Sequence, residues 1–331
     1  MRVAVIGDGQ MGLVLADALI HRGIEVRLWG PFEDVVQQLA TTRENPRRMP
    51  GFHLRSEAMV SVDAGMVMDS ADLLVNAIPA QFIRDVWSRV ADSAPQGAPI
   101  VSVAKGIEME TLMRPSEVLA DVLPSMGAAC ALSGPTIAAE LAAHKPAVMV
   151  AASEDASVAS VVQDAFDVPW LRVYTGSDII GVELAGACKN VIAIAAGLCD
   201  GMQLGDNAKS AILARGLVEI TRLGEAMSAR RDTFYGLAGA GDLATTCFSP
   251  HGRNRSCGEA IGQGVSLKAH QAESDSVVEG VATTRSLLAL AQRHDVEMPI
   301  VEVVHAVLFE ELAPQSAVRQ LMDRQFRSES E

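Results

Sequence analysis

The first third of the chain alternates short apolar runs with segments whose apolar residues recur at helical spacing. This alternation is typical of βαβ units and predicts a parallel sheet flanked by helices. The predicted strands are residues 3–6, 25–29, 73–78, 100–104 and 129–132, with 147–151 and 171–174 as candidates that would extend the sheet. The predicted helices between them are residues 12–21, 32–40, 81–90 and 115–123.

After about Ile180 the strand pattern ends, and long helical stretches follow, separated by glycine-rich turns such as residues 236–242. The length of 331 residues also suits two domains. We therefore predict one domain from residues 1–179 and a helical domain from residues 180–331. The charged segment 324–331 is expected to be frayed.

Composition limits the partners and the compartment. A net charge of −14 and the lack of a lysine or arginine run argue against a nucleic-acid partner. The apolar stretch 179–198 contains Glu183, Lys189 and Asn190, so we predict a buried helix and no membrane span. The five cysteines and the histidines show no ligand spacing, and no metal site is predicted. Without a signal-peptide pattern, cytoplasmic residence is the expectation.

A glycine motif follows the first predicted strand. Residues 7–12 read Gly-Asp-Gly-Gln-Met-Gly and open the first predicted helix, the context of a dinucleotide-binding turn. Gly7 permits a tight turn, Gly9 lets a pyrophosphate approach the backbone, and Gly12 allows close packing. The helix N-terminus adds N–H donors and a positive dipole end. We therefore predict an α/β fold class, with an N-terminal Rossmann-like dinucleotide-binding domain and a C-terminal all-helical substrate domain.

The sequence leaves the choice between NAD and NADP open. An NAD-specific domain usually places an acidic residue at the end of the second strand, on the ribose 2′-hydroxyl. Here that strand is followed by Gly30-Pro31, and no arginine that would bind a 2′-phosphate stands there either. The predicted cofactor is NAD or NADP, without a preference.

Lys189 is the candidate proton acceptor. Oxidation of a secondary alcohol by hydride transfer needs a group that takes the hydroxyl proton and whose pKa lies near the working pH. Residues 182–193 around Lys189 are largely apolar, and such surroundings lower the pKa of a lysine. A lysine that lies along an apolar surface or forms a salt bridge would also account for this position.

Several separate motifs add to this picture. They are residues 7–12, Ala104-Lys105-Gly106-Ile107, Ser133-Gly134-Pro135-Thr136 with Glu140, residues 183–190, Gly239-Ala240-Gly241-Asp242-Leu243, Arg253-Asn254-Arg255 and Val277-Val278-Glu279-Gly280. In their order and spacing, over essentially the whole chain, the sequence resembles the bacterial-type NAD(P)-dependent glycerol-3-phosphate dehydrogenases. The resemblance implies reversible hydride transfer between NAD(P)H and dihydroxyacetone phosphate, giving sn-glycerol 3-phosphate for glycerophospholipid synthesis.

The resemblance also implies roles for individual residues. The implied catalytic residues are Lys189 as proton acceptor, Lys105 and Asp242. The implied substrate-binding residues are Lys105, Gly134, Thr136, Lys189, Asp242, Gly252, Arg253 and Asn254. The implied cofactor contacts are Gly7, Gly9, Gln10, Met11, Gly12, Pro31, Lys105, Ala138, Arg253, Val277 and Glu279. For the phosphate group the chemistry agrees, because an arginine offers planar, charge-assisted donors.

These positions also have simpler structural accounts. A lysine after a strand is often solvated, and an aspartate after a glycine is often a helix cap. Two departures from the family pattern stand out. Gly252 replaces the serine that usually precedes the Arg-Asn pair, so a lower phosphate affinity is expected. Gln10 and Met11 stand where relatives often have serine or threonine and an aromatic residue, which leaves side-chain contacts to the cofactor open there.

Two other functions stay open from the residues. A related dehydrogenase acting on a β-hydroxyacid would use a lysine similarly but would need a carboxylate pocket. A dinucleotide-binding sensor without catalysis would need none of Lys105, Lys189 and Asp242, so the presence of these residues argues against it. A homodimer is the expected assembly, because dimers are the commonest state of soluble enzymes.

Overall fold

The computed structural model describes residues 1–273 and 277–323, and its first half is built on an eight-stranded sheet. The strands are β1 (Arg2–Ile6), β2 (Glu25–Trp29), β3 (Met59–Ser61), β4 (Leu73–Asn76), β5 (Ile100–Ser102), β6 (Ala129–Ser133), β7 (Ala147–Ala152) and β8 (Leu171–Gly176). Their order across the sheet is β3-β2-β1-β4-β5-β6-β7-β8, and the β6–β7 pair is antiparallel while the other pairs are parallel. This is the strand order of a Rossmann-like domain with two added strands, which confirms the predicted α/β class.

Helices cover both faces of the sheet. They are α1 (Gln10–His21), α2 (Glu33–Thr42), α3 (Ala64–Met68), α4 (Ile83–Val90), α5 (Pro115–Val122), α6 (Ala138–Ala142) and α7 (Ala156–Phe166). Successive residues of β1 face opposite sides, so that Val3 and Val5 join one apolar cluster and Ala4 and Ile6 join the other. Because residues 3–6 of β1 are buried on both faces, they form a continuous apolar run.

The second half of the described chain is helical. Its helices are α8 (Ile179–Gly201), α9 (Gly205–Ala226), α10 (Arg231–Tyr235), α11 (Asp242–Phe248), α12 (Arg253–Gly262), α13 (Leu267–Glu273), α14 (Glu279–Arg293), α15 (Pro299–Phe309) and α16 (Pro314–Met322). Helix α8 forms the centre, with α9, α11, α12 and α14 packed around it. It is long and apolar enough to cross a membrane, but 94% of its most apolar window is buried inside the protein. The prediction of a buried helix is confirmed.

Glycines bring α8 and α12 into backbone contact. A Cβ atom at Gly258 would lie 2.0 Å from the carbonyl oxygen of Ile194, and one at Gly197 would lie 2.0 Å from that of Arg255. Side chains at these positions would force the helices apart. The close approach holds the start of α12 against the middle of α8.

The structure differs from the sequence predictions in several elements. Strands β4 and β5 end two residues before the predicted ends, and β3, α3 and α7 were not predicted. Strand β3 has three residues and pairs only with β2, so it is too short to show an alternating pattern. The predicted turn at residues 236–242 is instead a π-helical turn, Leu237–Gly241, that runs directly into α11. The predicted frayed segment 324–331 lies outside the described residues.

Candidate active site

The glycine-rich turn lies where β1 and β4 end side by side, at the reversal of strand order in the sheet. Gly7 has φ +124°, and a Cβ atom there would lie 2.8 Å from the carbonyl oxygen of Ala77. A Cβ at Gly12 would lie 1.9 Å from the carbonyl oxygen of Gly7. At Gly9, the N-cap of α1, a Cβ would meet no described atom within 4 Å. The turn therefore leaves room for a pyrophosphate against the start of α1, and it fits a dinucleotide.

The side chains next to this turn are held by the protein. Gln10 Nε2 donates a 2.7 Å hydrogen bond to the carbonyl oxygen of Arg48. Met11 is half-buried and packs against the core beneath α1. Pro31 is exposed just after β2. The side chains of Gln10 and Met11 thus make contacts within the protein, and the backbone of the turn carries the fit to a cofactor.

Lys189 lies in the middle of α8 with only 6% of its surface exposed. Its Nζ donates 2.6 Å hydrogen bonds to Asp242 Oδ1 and to Thr246 Oγ1. Burial lowers the pKa of Lys189 to about 8, although the Asp242 carboxylate works in the opposite direction. An amine with that pKa can both hold and release a proton near neutral pH.

Asp242 joins two lysines from different parts of the chain. It is the first residue of α11 and is 1% exposed. Lys105 Nζ, from the loop after β5, donates to Asp242 Oδ2 at 2.6 Å and to the carbonyl oxygen of Gly134 at 3.0 Å. Burial alone would raise the pKa of Asp242, but the Lys105 and Lys189 ammonium groups outweigh it and lower that pKa. Asp242 is therefore a carboxylate held between two cations.

A chain of amide hydrogen bonds joins this centre to α12 and α14. Asn190 Nδ2 donates to the carbonyl oxygen of Lys105 at 3.0 Å, and Asn254 Nδ2 donates to Asn190 Oδ1 at 2.9 Å. The backbone N–H of Gly280 donates to Asn254 Oδ1 at 2.9 Å. Both ends of the Asn254 side chain are thus engaged, which fixes its orientation, and its backbone N–H lies in the first turn of α12, where no carbonyl of the same helix can accept it.

Arg253 begins α12 and is exposed, with Gly252 as the N-cap. Glu279 begins α14, and its charge interacts with those of Arg253, Lys105 and Lys189. Burial raises the pKa of Glu279, and the three cations partly offset that rise. An exposed guanidinium beside the free N–H groups of a helix start forms a place for an anion, within the electrostatic reach of the lysine pair.

The structure brings some predicted residues together and leaves others apart. Lys105, Gly134, Lys189 and Asp242 form one hydrogen-bonded group, and Thr136 joins it by donating to the carbonyl oxygen of Gly134 at 3.1 Å. Outside this group lie Pro31, Ala138, which begins α6, and Val277, which precedes α14. Among the residues that the structure describes, no cluster of three or more His, Cys, Asp or Glu side chains could hold a metal ion.

Sequence reasoning assigned no role to Thr246 and Asn190, although both contact the centre. Thr246 lies four residues after Asp242, which places both on one face of α11, and this spacing was the available signal. Asn190 directly follows Lys189, and its link to Lys105 depends on the packing of α8 against the sheet domain. No local pattern could reveal that contact.

A glycine-rich turn at the carboxyl ends of β1 and β4, together with a buried lysine of pKa about 8 whose aspartate partner also binds Lys105 of the sheet domain, defines a dinucleotide-dependent dehydrogenase. The family described as NAD-dependent glycerol-3-phosphate dehydrogenase matches residues 2–159 through its N-terminal part and residues 178–319 through its C-terminal part. The chain therefore belongs to this family.

Individual relatives match this chain over nearly their full lengths. The chain is 45% identical to glycerol-3-phosphate dehydrogenase (NAD(P)+) 2 of Salinibacter ruber, over 99% of this chain and 96% of the relative. It is 44% identical to the corresponding enzyme of Syntrophotalea carbinolica, over 99% of each chain. The crystal structure of glycerol-3-phosphate dehydrogenase from Coxiella burnetii has a TM-score of 0.93 and 34% identity, covering 98% of this chain and 99% of that one.

Proposed function

We propose that this protein catalyses reversible hydride transfer between NAD(P)H and C2 of dihydroxyacetone phosphate, giving sn-glycerol 3-phosphate for glycerophospholipid synthesis. The names of the full-length relatives support the substrate. The observation that carries the chemistry is the buried Lys189 ammonium bonded to Asp242 beside the dinucleotide domain. A buried amine with a pKa of about 8 suits proton transfer to and from a secondary alcohol.

NAD or NADP binds along the carboxyl edge of the sheet. The backbone of Gly7, Gly9 and Gly12 and the start of α1 hold the pyrophosphate. The further contacts that we assign to the cofactor come from Gln10, Met11, Pro31, Lys105, Ala138, Arg253, Val277 and Glu279. When bound, the reduced nicotinamide supplies the hydride.

Lys189 moves the proton. An ammonium has three N–H donors, and among the described residues two of them point at Asp242 and Thr246. The third remains for the oxygen on C2 of the substrate. In reduction Lys189 gives its proton to the developing alkoxide, and in oxidation the neutral amine takes the hydroxyl proton.

Asp242 and Lys105 hold the groups that take part in proton transfer in place. Asp242 fixes both ammonium groups through its two oxygens, so neither lysine needs to reorient as charge develops. Lys105 adds a second positive charge that stabilises the alkoxide. Gly134 and Thr136 complete the wall of the substrate site, with the Gly134 carbonyl oxygen accepting from Lys105.

The substrate phosphate binds at the start of α12. Arg253 supplies charge-assisted donors, and the backbone N–H groups of Arg253 and Asn254 add the positive end of the helix. Gly252 contributes backbone only, so the site holds the phosphate without the hydroxyl that relatives often have before the Arg-Asn pair.

The proposal extends to the domain boundary, the assembly and the location of the protein. We place the domain boundary between residues 179 and 180, after β8 has ended and directly after the first residue of α8. We further propose a cytoplasmic homodimer, supported by the frequency of such assemblies among soluble enzymes.

The test is purified protein mixed with dihydroxyacetone phosphate and either NADH or NADPH, followed by the absorbance of the reduced nicotinamide. We expect rapid loss with at least one cofactor, and product that co-migrates with sn-glycerol 3-phosphate. Turnover of β-ketoacids but not of dihydroxyacetone phosphate would identify a β-hydroxyacid dehydrogenase instead. Cofactor binding without turnover of any keto or hydroxy phosphate would indicate a sensor.

A further inference from the structure

Asp8, between the first two glycines of the turn, carries a buried carboxyl oxygen without a partner. Among the described residues, Asp8 Oδ2 accepts no hydrogen bond, although solvent does not reach it. Burial raises the pKa of Asp8, while its own backbone N–H and the charge of Arg48 act to lower it. An unsatisfied buried carboxylate is costly, so its retention at a ligand-binding turn calls for an explanation.

The carboxylate lies against the end of the neighbouring strand. Strands β1 and β2 pair in register, with Ile6 opposite Trp29, so Asp8 comes beside the residues that follow β2. A Cβ atom on Gly30 would lie 2.6 Å from Asp8 Oδ2. The side chain of Asp8 therefore fills the space in which a side chain at position 30 would begin.

This is the place where a dinucleotide domain usually recognises the adenosine ribose. In NAD-binding domains, the acidic residue that hydrogen-bonds the ribose 2′-hydroxyl comes from the end of the second strand. Here residue 30 is glycine, yet a carboxylate reaches the same place from the first turn. Asp8 as a whole is only half-buried, although Oδ2 is closed to solvent, so its negative charge lies close to a ligand on the turn.

We propose that Asp8 replaces the missing acidic residue and selects NAD(H) over NADP(H). This inference rests on the proposed function, because it concerns the cofactor of that same site. A ribose 2′-hydroxyl can donate a charge-assisted hydrogen bond to the carboxylate. A 2′-phosphate would bring two negative groups together at short range, and like charges that meet in a binding site weaken the complex strongly.

Arg48 carries a positive charge that acts on Asp8 and would, by itself, favour NADPH. Its charge acts on Asp8, and its backbone carbonyl oxygen accepts the hydrogen bond from Gln10. An arginine near the ribose would favour a 2′-phosphate. With Asp8 ionised, the two charges offset one another, and Asp8→Asn removes the negative charge of this pair.

The test is calorimetric titration of the full chain with NADH and NADPH, together with adenosine 5′-monophosphate and adenosine 2′,5′-bisphosphate as probes without a nicotinamide. We expect the wild type to bind NADH at least about 10-fold more tightly than NADPH, with the two probes showing the same order. In Asp8→Asn, an isosteric change that removes the charge, the ratio of the two dissociation constants should fall below about 3 or invert. Asp92→Asn, which removes an exposed charge elsewhere in the N-terminal domain, should keep the wild-type ratio.

Equal affinity of the wild type for NADH and NADPH would overturn the inference, as would an unchanged ratio in Asp8→Asn. Either result could occur with normal turnover of dihydroxyacetone phosphate, so the proposed function would stand. Binding of neither cofactor nor probe would overturn both proposals. Should circular dichroism show that Asp8→Asn does not fold, Asp8→Ser removes the same charge with a smaller side chain. Its dissociation constants for NADH and NADPH are then compared in the same way.

Discussion

The glycine-rich turn and the lysine–aspartate centre belong to one site but are built in different ways. The turn consists of six consecutive residues in which Gly7 and Gly12 are buried and leave no room for side chains, while Gly9 faces open space. The centre joins side chains that are far apart in sequence: Lys105 and Asp242 are separated by 137 positions, and Lys189 and Asp242 by 53. One region offers shape and N–H donors, whereas the other offers buried charge. Substitutions in the turn should therefore change cofactor affinity, and substitutions in the centre should change turnover.

Lys189→Met should show the largest difference between the two regions, because it should lower turnover and leave cofactor affinity unchanged. The change keeps the length and apolar stem of the side chain but removes the group that transfers the proton. We expect kcat to fall by about 10³-fold, the scale of general acid–base catalysis. The dissociation constant for NADH, measured by fluorescence titration, should stay within about twofold, because the turn is untouched.

A matched control for this variant is Lys145→Met, at an exposed lysine on the surface. It should retain wild-type turnover. Retained turnover in Lys189→Met, with the fold confirmed by circular dichroism, would remove Lys189 from the mechanism.

Asp242→Asn should have the next largest effect. The amide keeps the shape of the carboxylate but leaves the Lys105 and Lys189 charges facing each other in a buried site. We expect kcat to fall by about 10²-fold while cofactor affinity changes little. Because Asp242 raises the pKa of Lys189, that pKa should also move below its wild-type value. A pH profile of the residual activity with no such shift would argue against direct coupling.

Arg253→Ala tests the substrate phosphate site rather than the proton transfer. A charge-assisted contact contributes about 1.5–3 kcal/mol, so KM for dihydroxyacetone phosphate should rise by about 10- to 100-fold. Turnover at saturating substrate should change much less, since Arg253 lies outside the lysine–aspartate group. Steady-state kinetics would reveal this split, and an unchanged KM would place the phosphate elsewhere.

Gly9→Ala and Gly12→Ala form a matched pair within the turn. A Cβ at Gly9 meets no described atom within 4 Å, so the protein should keep its melting temperature while NADH binding weakens by about 10-fold. A Cβ at Gly12 would clash with the carbonyl oxygen of Gly7, so that variant should lose both stability and affinity. Scanning calorimetry and NADH titration would distinguish the two. Full NADH affinity in Gly9→Ala would show that the cofactor does not approach this backbone.

The difference between the two regions also explains how far sequence could predict them. The turn follows a strand and opens a helix within a few residues, so Gly7, Gly9 and Gly12 could be interpreted locally. Lys189 was singled out by its apolar neighbours and by family resemblance, but its contact with Thr246 depends on how α11 packs on α8. The position of Asp8 was equally inaccessible, because its closeness to Gly30 follows from the pairing of β1 with β2. Strand β3 carried too few residues for any periodic signal.

The most direct test of the account is the pH dependence of kcat/KM in both directions, because kcat/KM reports the pKa values of the free enzyme. Burial lowers the pKa of Lys189 to about 8, and the neutral amine is needed to accept a proton. Oxidation of glycerol 3-phosphate should therefore speed up as pH rises through about 8 and then level off, whereas reduction of dihydroxyacetone phosphate should slow above the same pH. Rates that do not vary with pH between about 6 and 10, or the same titration in the residual activity of Lys189→Met, would contradict the assignment of proton transfer to this lysine.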